Sequence, residues 1–160
     1  MRSQALKQLA YFAFVRPCLE YACSVWDPHS ATAIKDIEAV QRRAARWVVN
    51  RYRQTSSVTD MITHLQWESL QTRRRQARLS NLYKYVNGLV IINSAVAPSL
   101  QKPNPLRPST RQSHPLTFEN KGCRTLYRQS SFFPRTIREW NALPATAVLS
   151  KSLEEFRRRL

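Results

Sequence analysis

The chain has 160 residues, is 42% apolar and carries 26 Lys+Arg against 10 Asp+Glu, a formal charge of +16. That is enough apolar matter for the core of one or two small domains, and so basic a balance selects polyanions as partners. Only two glycines exclude a glycine-rich phosphate loop and argue against a barrel or sandwich, while three cysteines at no framework spacing argue against disulfide stapling and for a reducing compartment.

Residues 4–26 are apolar nearly all round, which predicts a buried helix that Pro17 kinks or restarts and that Asp27 and Pro28 end. Its apolar run, Leu9 to Val15, is followed too closely by Arg16, Pro17 and Glu20 for a secretory leader. It is also far short of the roughly 20 residues of a membrane span, so a soluble chain is expected. Ser30 or Thr32 can cap a second helix running to about Val49. Ile34, Ile37, Val40, Ala44 and Val48 form its apolar stripe, with Lys35, Arg42, Arg43 and Arg46 opposite. After the turn NRYRQTSS, Ser56 or Ser57 caps a short helix from about Val58 to Leu65.

A fourth helix is predicted from about Glu68 to a stop at Asn87-Gly88, the pair best suited to the left-handed conformation that terminates helices. Leu79, Leu82, Tyr83 and Val86 share one side of it, and Arg73, Arg74, Arg78 and Lys84 another, with Tyr85 beside them. Five prolines between residues 98 and 115 mark residues 93–115 as a linker. Beyond it, residues 116–133 have the weak alternation of a hairpin turning at Asn120, Lys121 and Gly122. Pro134 opens a helical turn through Ile137 and Trp140, and Ser152 with Glu155 forms a capping box for a last helix edged by Leu153, Phe156 and Leu160. The expected fold is therefore mainly α: a bundle-like helical part over 1–92, a Pro-rich linker over 93–115 and a small mixed part over 116–160.

Catalytic chemistry finds no foothold. Cys18, Cys23 and His29 lack the spacing of a zinc knuckle, and His29, His64 and His114 lie in separate segments with no activated Ser or Cys. No Asp-x-Asp or Asp-Asp pair exists to hold two metal ions. No catalytic residue, metal ligand, cofactor or small-molecule substrate is expected, and each histidine reads as a surface or capping residue.

Nucleic-acid binding is better supported, because Arg outnumbers Lys 20 to 6 and the guanidinium fork suits phosphate and bases. Arg42, Arg43, Arg46, Arg51 and Arg53 fall within residues 39–59, where there is no acid. Arg73, Arg74, Arg75, Arg78 and Lys84 fall within 69–118, which is equally free of acids. Solvated helix faces normally alternate sign, so these runs read as polyanion-binding surfaces. Trp47 and Tyr52 lie among the first group and can stack on bases, although periodicity places Trp47 in the core just as well.

Specific strings add a resemblance. FVRPCLEYACSVWDP at 14–28, IEAVQRRAARWVVNRYRQTSSVTDMI at 37–62, LQWESLQTRRRQARLSNLYKYVNGLV at 65–90, RQSSFFPRTIREWNALP at 128–144 and SLEEFRRRL at 152–160 resemble, in order, the region downstream of the palm in non-LTR (LINE-type, jockey or CR1-like) retrotransposon reverse transcriptases. The resemblance implies a fragment of an RNA-directed DNA polymerase that lacks the polymerase and endonuclease centres. It corresponds to the thumb and the segment after it, which hold RNA template and DNA primer. It further implies an intracellular, nuclear setting and a palm domain upstream as a second partner. The alternatives are an assembly segment whose apolar residues 4–26 dock on that palm, and the remnant of a decayed element.

Overall fold

The computed structural model describes residues 3–53, 55–93, 97–100 and 114–160, so most of the expected linker, 93–115, lies outside the described residues. Among the described residues the chain is mainly helical and forms no strand beyond one isolated bridge, Leu100 to Phe118. None of their helices is long and apolar enough to cross a membrane. Two compact units result, Met1–Arg74 and Arg75–Leu160, and the division falls inside the helix Leu70–Val86, ahead of the linker expected at 93–115.

In the first unit, α1 (Gln4–Ala10) runs through a single π turn (Tyr11–Val15) into α2 (Arg16–Glu20). The cause is Pro17, which has no N–H and whose ring crowds the carbonyl four residues back. Widening the preceding turn, so that the Arg16 N–H reaches the Tyr11 carbonyl, relieves that crowding and leaves Pro17 in the first turn of α2. The chain leaves the helix at Tyr21, passes through Ala22 at φ +47°, and forms α3 (Cys23–Trp26). The segment is not the buried helix its composition suggested. Only Tyr11 and Cys23 are buried, while Phe14 and Val25 are 76% and 88% exposed.

Ser30 caps α4 (Ala31–Val49), and Asn50, left-handed at φ 59°, ends it. Ser57 caps α5 (Val58–His64). The core of this unit joins Tyr11, Ala45, Val48, Met61, Leu65 and Trp67, with Tyr11 stacked on Trp67 at 4.4 Å between ring centroids. The fully buried row of α4 is Gln41, Ala45 and Val48, turned roughly 40° from the predicted stripe at 100° per residue. A polar residue can sit in that seam because the Gln41 amide donates to the Glu68 carbonyl at 2.8 Å.

Among the described residues the buried Tyr11 hydroxyl has no hydrogen-bond partner, and burial pushes its pKa from 10.0 up to about 12. Removing an unsatisfied buried hydroxyl relieves a desolvation cost, so Tyr11→Phe should stabilise the chain by about 1 kcal/mol in urea titration. The folded pKa is the raised one, so the wild type holds its full stability below pH 10 and loses it as pH rises towards about 12. Tyr11→Phe should lack this alkaline loss.

Helix α6 (Leu70–Val86) ends as predicted, at Gly88 with φ +68° and a Leu89 N–H to Lys84 carbonyl bond of 2.8 Å. Its second half supplies Leu79, Leu82 and Tyr83 to the core of the second unit, which explains why the division precedes them. The other contributors are Phe118, α8 (Phe132–Asn141) through Ile137 and Trp140, Leu143 just after it, α9 (Ala145–Val148) through Val148, and α10 (Leu153–Arg158) through Phe156.

No hairpin forms over 116–133: residues 119–123 have no regular structure and Leu126–Ser130 is a short helix, α7, capped by Thr125. Side chains take over from the missing strand partner. The Asn141 amide accepts from the Phe118 N–H at 3.0 Å and donates to the Phe118 carbonyl at 2.9 Å, as a neighbouring strand would. Trp140 Nε1 donates to the Leu116 carbonyl at 2.9 Å. His114, expected as a surface or capping residue, is buried edge-on to Trp140, with Nε2 3.0 Å from the Trp140 carbonyl. The capping box at Ser152 forms as predicted on one arm, Glu155 N–H to Ser152 Oγ at 3.1 Å. Its carboxylate reaches back one residue further, to the Lys151 N–H at 2.9 Å.

Candidate nucleic-acid interface

The ten basic residues singled out in the sequence separate into two populations. On α6 the arginines are ion-paired, and Arg74 and Arg78 are buried. Arg74 is 0% exposed and its Nε donates to Asp27 Oδ1 at 2.7 Å, with Glu38 at 4.0 Å and the Trp26 ring 6.0 Å away. Burial lowers its pKa, against the opposing pull of Glu38. Arg73 grips both oxygens of Glu20 and lies 3.7 Å from Glu68; the hydrogen bond to Glu20 is the main cause of its raised pKa.

Arg78 is 2% exposed, and its Nη2 donates to both Glu139 oxygens, at 2.7 and 2.9 Å. Arg75 lies 3.4 Å from the same carboxylate and Arg135 3.8 Å. The expected uncompensated face on α6 is therefore an ion-paired seam. Arg74 and Arg78 cannot meet a polyanion in this fold, and Arg73 and Arg75 are already partnered. Lys84 is half-buried in the last turn, where a cation suits the carbonyl end of the helix.

The start of α6 draws on the same carboxylates: Glu38 accepts from the N–H groups of Gln71 at 2.7 Å and Leu70 at 3.4 Å. An anion there complements both the free N–H groups and the helix dipole.

The arginines of α4 are different. Taking 100° per residue from Gln41, Arg42, Arg46 and Arg43 fall with Lys35 in an arc of about 100° facing away from the buried row. Arg42 and Arg43 are exposed and Arg46 is half-buried. Past the Asn50 cap, Arg51, Tyr52 and Arg53 follow without regular structure, all exposed, Tyr52 by 62%. Among the described residues none of these five arginines is ion-paired. One exposed carboxylate, Asp36, shares the helix face about 10 Å from Arg43 at 1.5 Å per residue. Trp47 is half-buried: it packs against the core cluster, with the Lys7 ammonium on its carbonyl at 2.9 Å and over its ring at 5.6 Å.

Sequence reasoning passed over a further basic group. Lys121, Arg124, Arg128 and Arg138, all exposed, lie within one short stretch of the second unit, beside Tyr127 at 85% exposure. Their spacing in the sequence was visible, but the hairpin reading hid it. Among the described residues no three His, Cys, Asp or Glu gather in a way that could hold a metal ion. Comparison of the chain with protein-family models, with curated proteins and with solved structures finds no match.

Proposed function

We propose that the chain is a nucleic-acid-binding module without a catalytic centre of its own, whose contact surface in the first unit is the basic arc of α4 with Arg51, Tyr52 and Arg53. The observation that carries this reading is the contrast between arginines: those of α6 are matched to carboxylates, while Arg42, Arg43, Arg46, Arg51 and Arg53 have no ion-pair partner among the described residues, on one helix and its continuation. Guanidiniums spaced along a helix track phosphates, and Tyr52 offers a face to a base, a mode tolerant of sequence and suited to single strands or RNA/DNA hybrid. The resemblance to the post-palm region of LINE-type reverse transcriptases supports the same reading. It makes the module a segment that holds template and primer for an RNA-directed DNA polymerase, acting in the nucleus.

Anisotropy titration of labelled RNA and DNA strands across a salt series tests this. Six cations at the surface, Lys35 included, should give a log-log slope of about −4 to −5. The triple change Arg42→Gln, Arg43→Gln, Arg46→Gln should flatten the slope by about 2 and weaken all sequences alike. A wild-type affinity indifferent to salt would overturn the proposal.

A second reading is favoured by one observation: Leu6, Leu9, Phe14, Tyr21 and Val25 are all more than half exposed along residues 3–26. Such an apolar surface suits a protein partner, and on the resemblance that partner is the upstream palm domain. Sedimentation should then show concentration-dependent self-association of the isolated chain, which Leu9→Lys with Phe14→Lys abolishes. A monomer at all concentrations would count against it.

A further inference from the structure

The second unit contains a cavity of about 460 Å³ that the basic arc of α4 does not explain. Phe132 and Phe133 line it with rings 5.1 Å apart and inclined at 74°, and Pro98, Pro134 and Ile137 complete its apolar wall. Lys121 and Arg128 belong to the same lining, with Asn120 and a single carboxylate, Glu119. Neither cation is ion-paired among the described residues, and exposed Arg124 and Arg138 are close in sequence, the latter donating to the Gln129 carbonyl at 3.5 Å.

Aromatic walls, one amide and a cationic rim match the parts of a nucleotide: a flat π system, an edge rich in donors and acceptors, and an anionic phosphate. The volume lies within the roughly 300–1,000 Å³ range of pockets that enclose small ligands. An apolar peptide side chain would fill the same wall but leave Lys121 and Arg128 unmatched. We propose that this cavity seats one unstacked nucleobase of a single strand, with its flanking phosphates on Lys121 and Arg128. The inference rests on the nucleic-acid reading above and adds to it a second site, one that encloses a base where Tyr52 offers only an exposed ring face.

The test compares the intact chain's binding of a short thymidine oligomer with its binding of an abasic oligomer of equal phosphate count. Stacking of one base should favour the thymidine oligomer roughly five- to hundredfold. Phe132→Leu keeps an apolar side chain but removes the π face, and should erase most of that preference. Phe132→Tyr should retain it, and Tyr52→Ser reports any share due to the first unit. Photocrosslinking of an iodouridine oligomer to the wild type gives a readout independent of folding in the variants, with the adduct expected on the peptide carrying Phe132 and Phe133.

If the abasic oligomer binds as tightly as thymidine with the same steep salt response, the pocket proposal falls and the α4 surface stands. If Phe132→Leu keeps the preference, or adducts form only around Tyr52, the pocket proposal again falls alone. If neither oligomer binds at low salt, both fall.

Discussion

Replacing Arg74 with alanine should destabilise the first unit by about 3–5 kcal/mol, because Asp27, only 5% exposed at its side chain, would keep a buried charge with its guanidinium partner gone. The loss should be read by hydrogen exchange as well as by urea titration. Amides of α4 and α5 should lose protection, since two compact units need not unfold as one. The double change Asp27→Asn with Arg74→Met replaces the pair by groups of similar size and should recover most of the loss. An Arg74→Ala chain within about 0.5 kcal/mol of wild type would mean that the pair is solvated in solution. Arg42→Ala, by contrast, should cost almost nothing in stability, as exposed substitutions do, and should register in the salt dependence of binding instead.

That contrast shows where local sequence physics is sufficient. The caps Ser30, Ser57 and Ser152, the stop at Gly88 and the restart at Pro17 were all legible, because each depends on a few neighbouring residues and the backbone groups they satisfy. The arginines of α6 were misjudged because a stretch empty of acids says nothing about acids elsewhere in the chain. Glu20, Asp27 and Glu139 lie 53, 47 and 61 residues from the arginines they meet. One signal was nonetheless present. Leu70, Arg74, Arg78 and Leu82 form a single i,i+4 row, so the face that buries the two leucines carries the two arginines between them.

Apolar content also misled at residues 4–26, where burial requires a partner surface as well as a hydrophobic side, and composition reports only the latter. At Phe118 the weak alternation could not reveal that an asparagine amide, not a second strand, completes the hydrogen bonding.

The second unit should prove equally dependent on one carboxylate. Glu139 gathers Arg75, Arg78 and Arg135, and Arg78 is almost wholly buried among them. Glu139→Gln would leave three guanidiniums crowded together with their shared counter-charge removed, at a cost of about 3–5 kcal/mol. Part of this should return at high ionic strength, because Arg75, 38% exposed at its side chain, is open to screening whereas Arg78 at 2% is not. Single changes to Gln should therefore grade by burial: Arg78 most damaging, Arg135 intermediate, and Arg75 within about 1 kcal/mol of wild type. Chemical denaturation with and without added salt checks the order. A Glu139→Gln chain as stable as the wild type, or a ranking with Arg75 above Arg78, would show that the carboxylate does not organise this cluster. Because the sequence alone offers Arg75 and Arg78 as phosphate contacts, the Arg78→Gln chain separates the two roles: its stability should fall while the salt slope of nucleic-acid binding stays within error of the wild type. The α4 triple variant should do the reverse, losing slope and keeping stability.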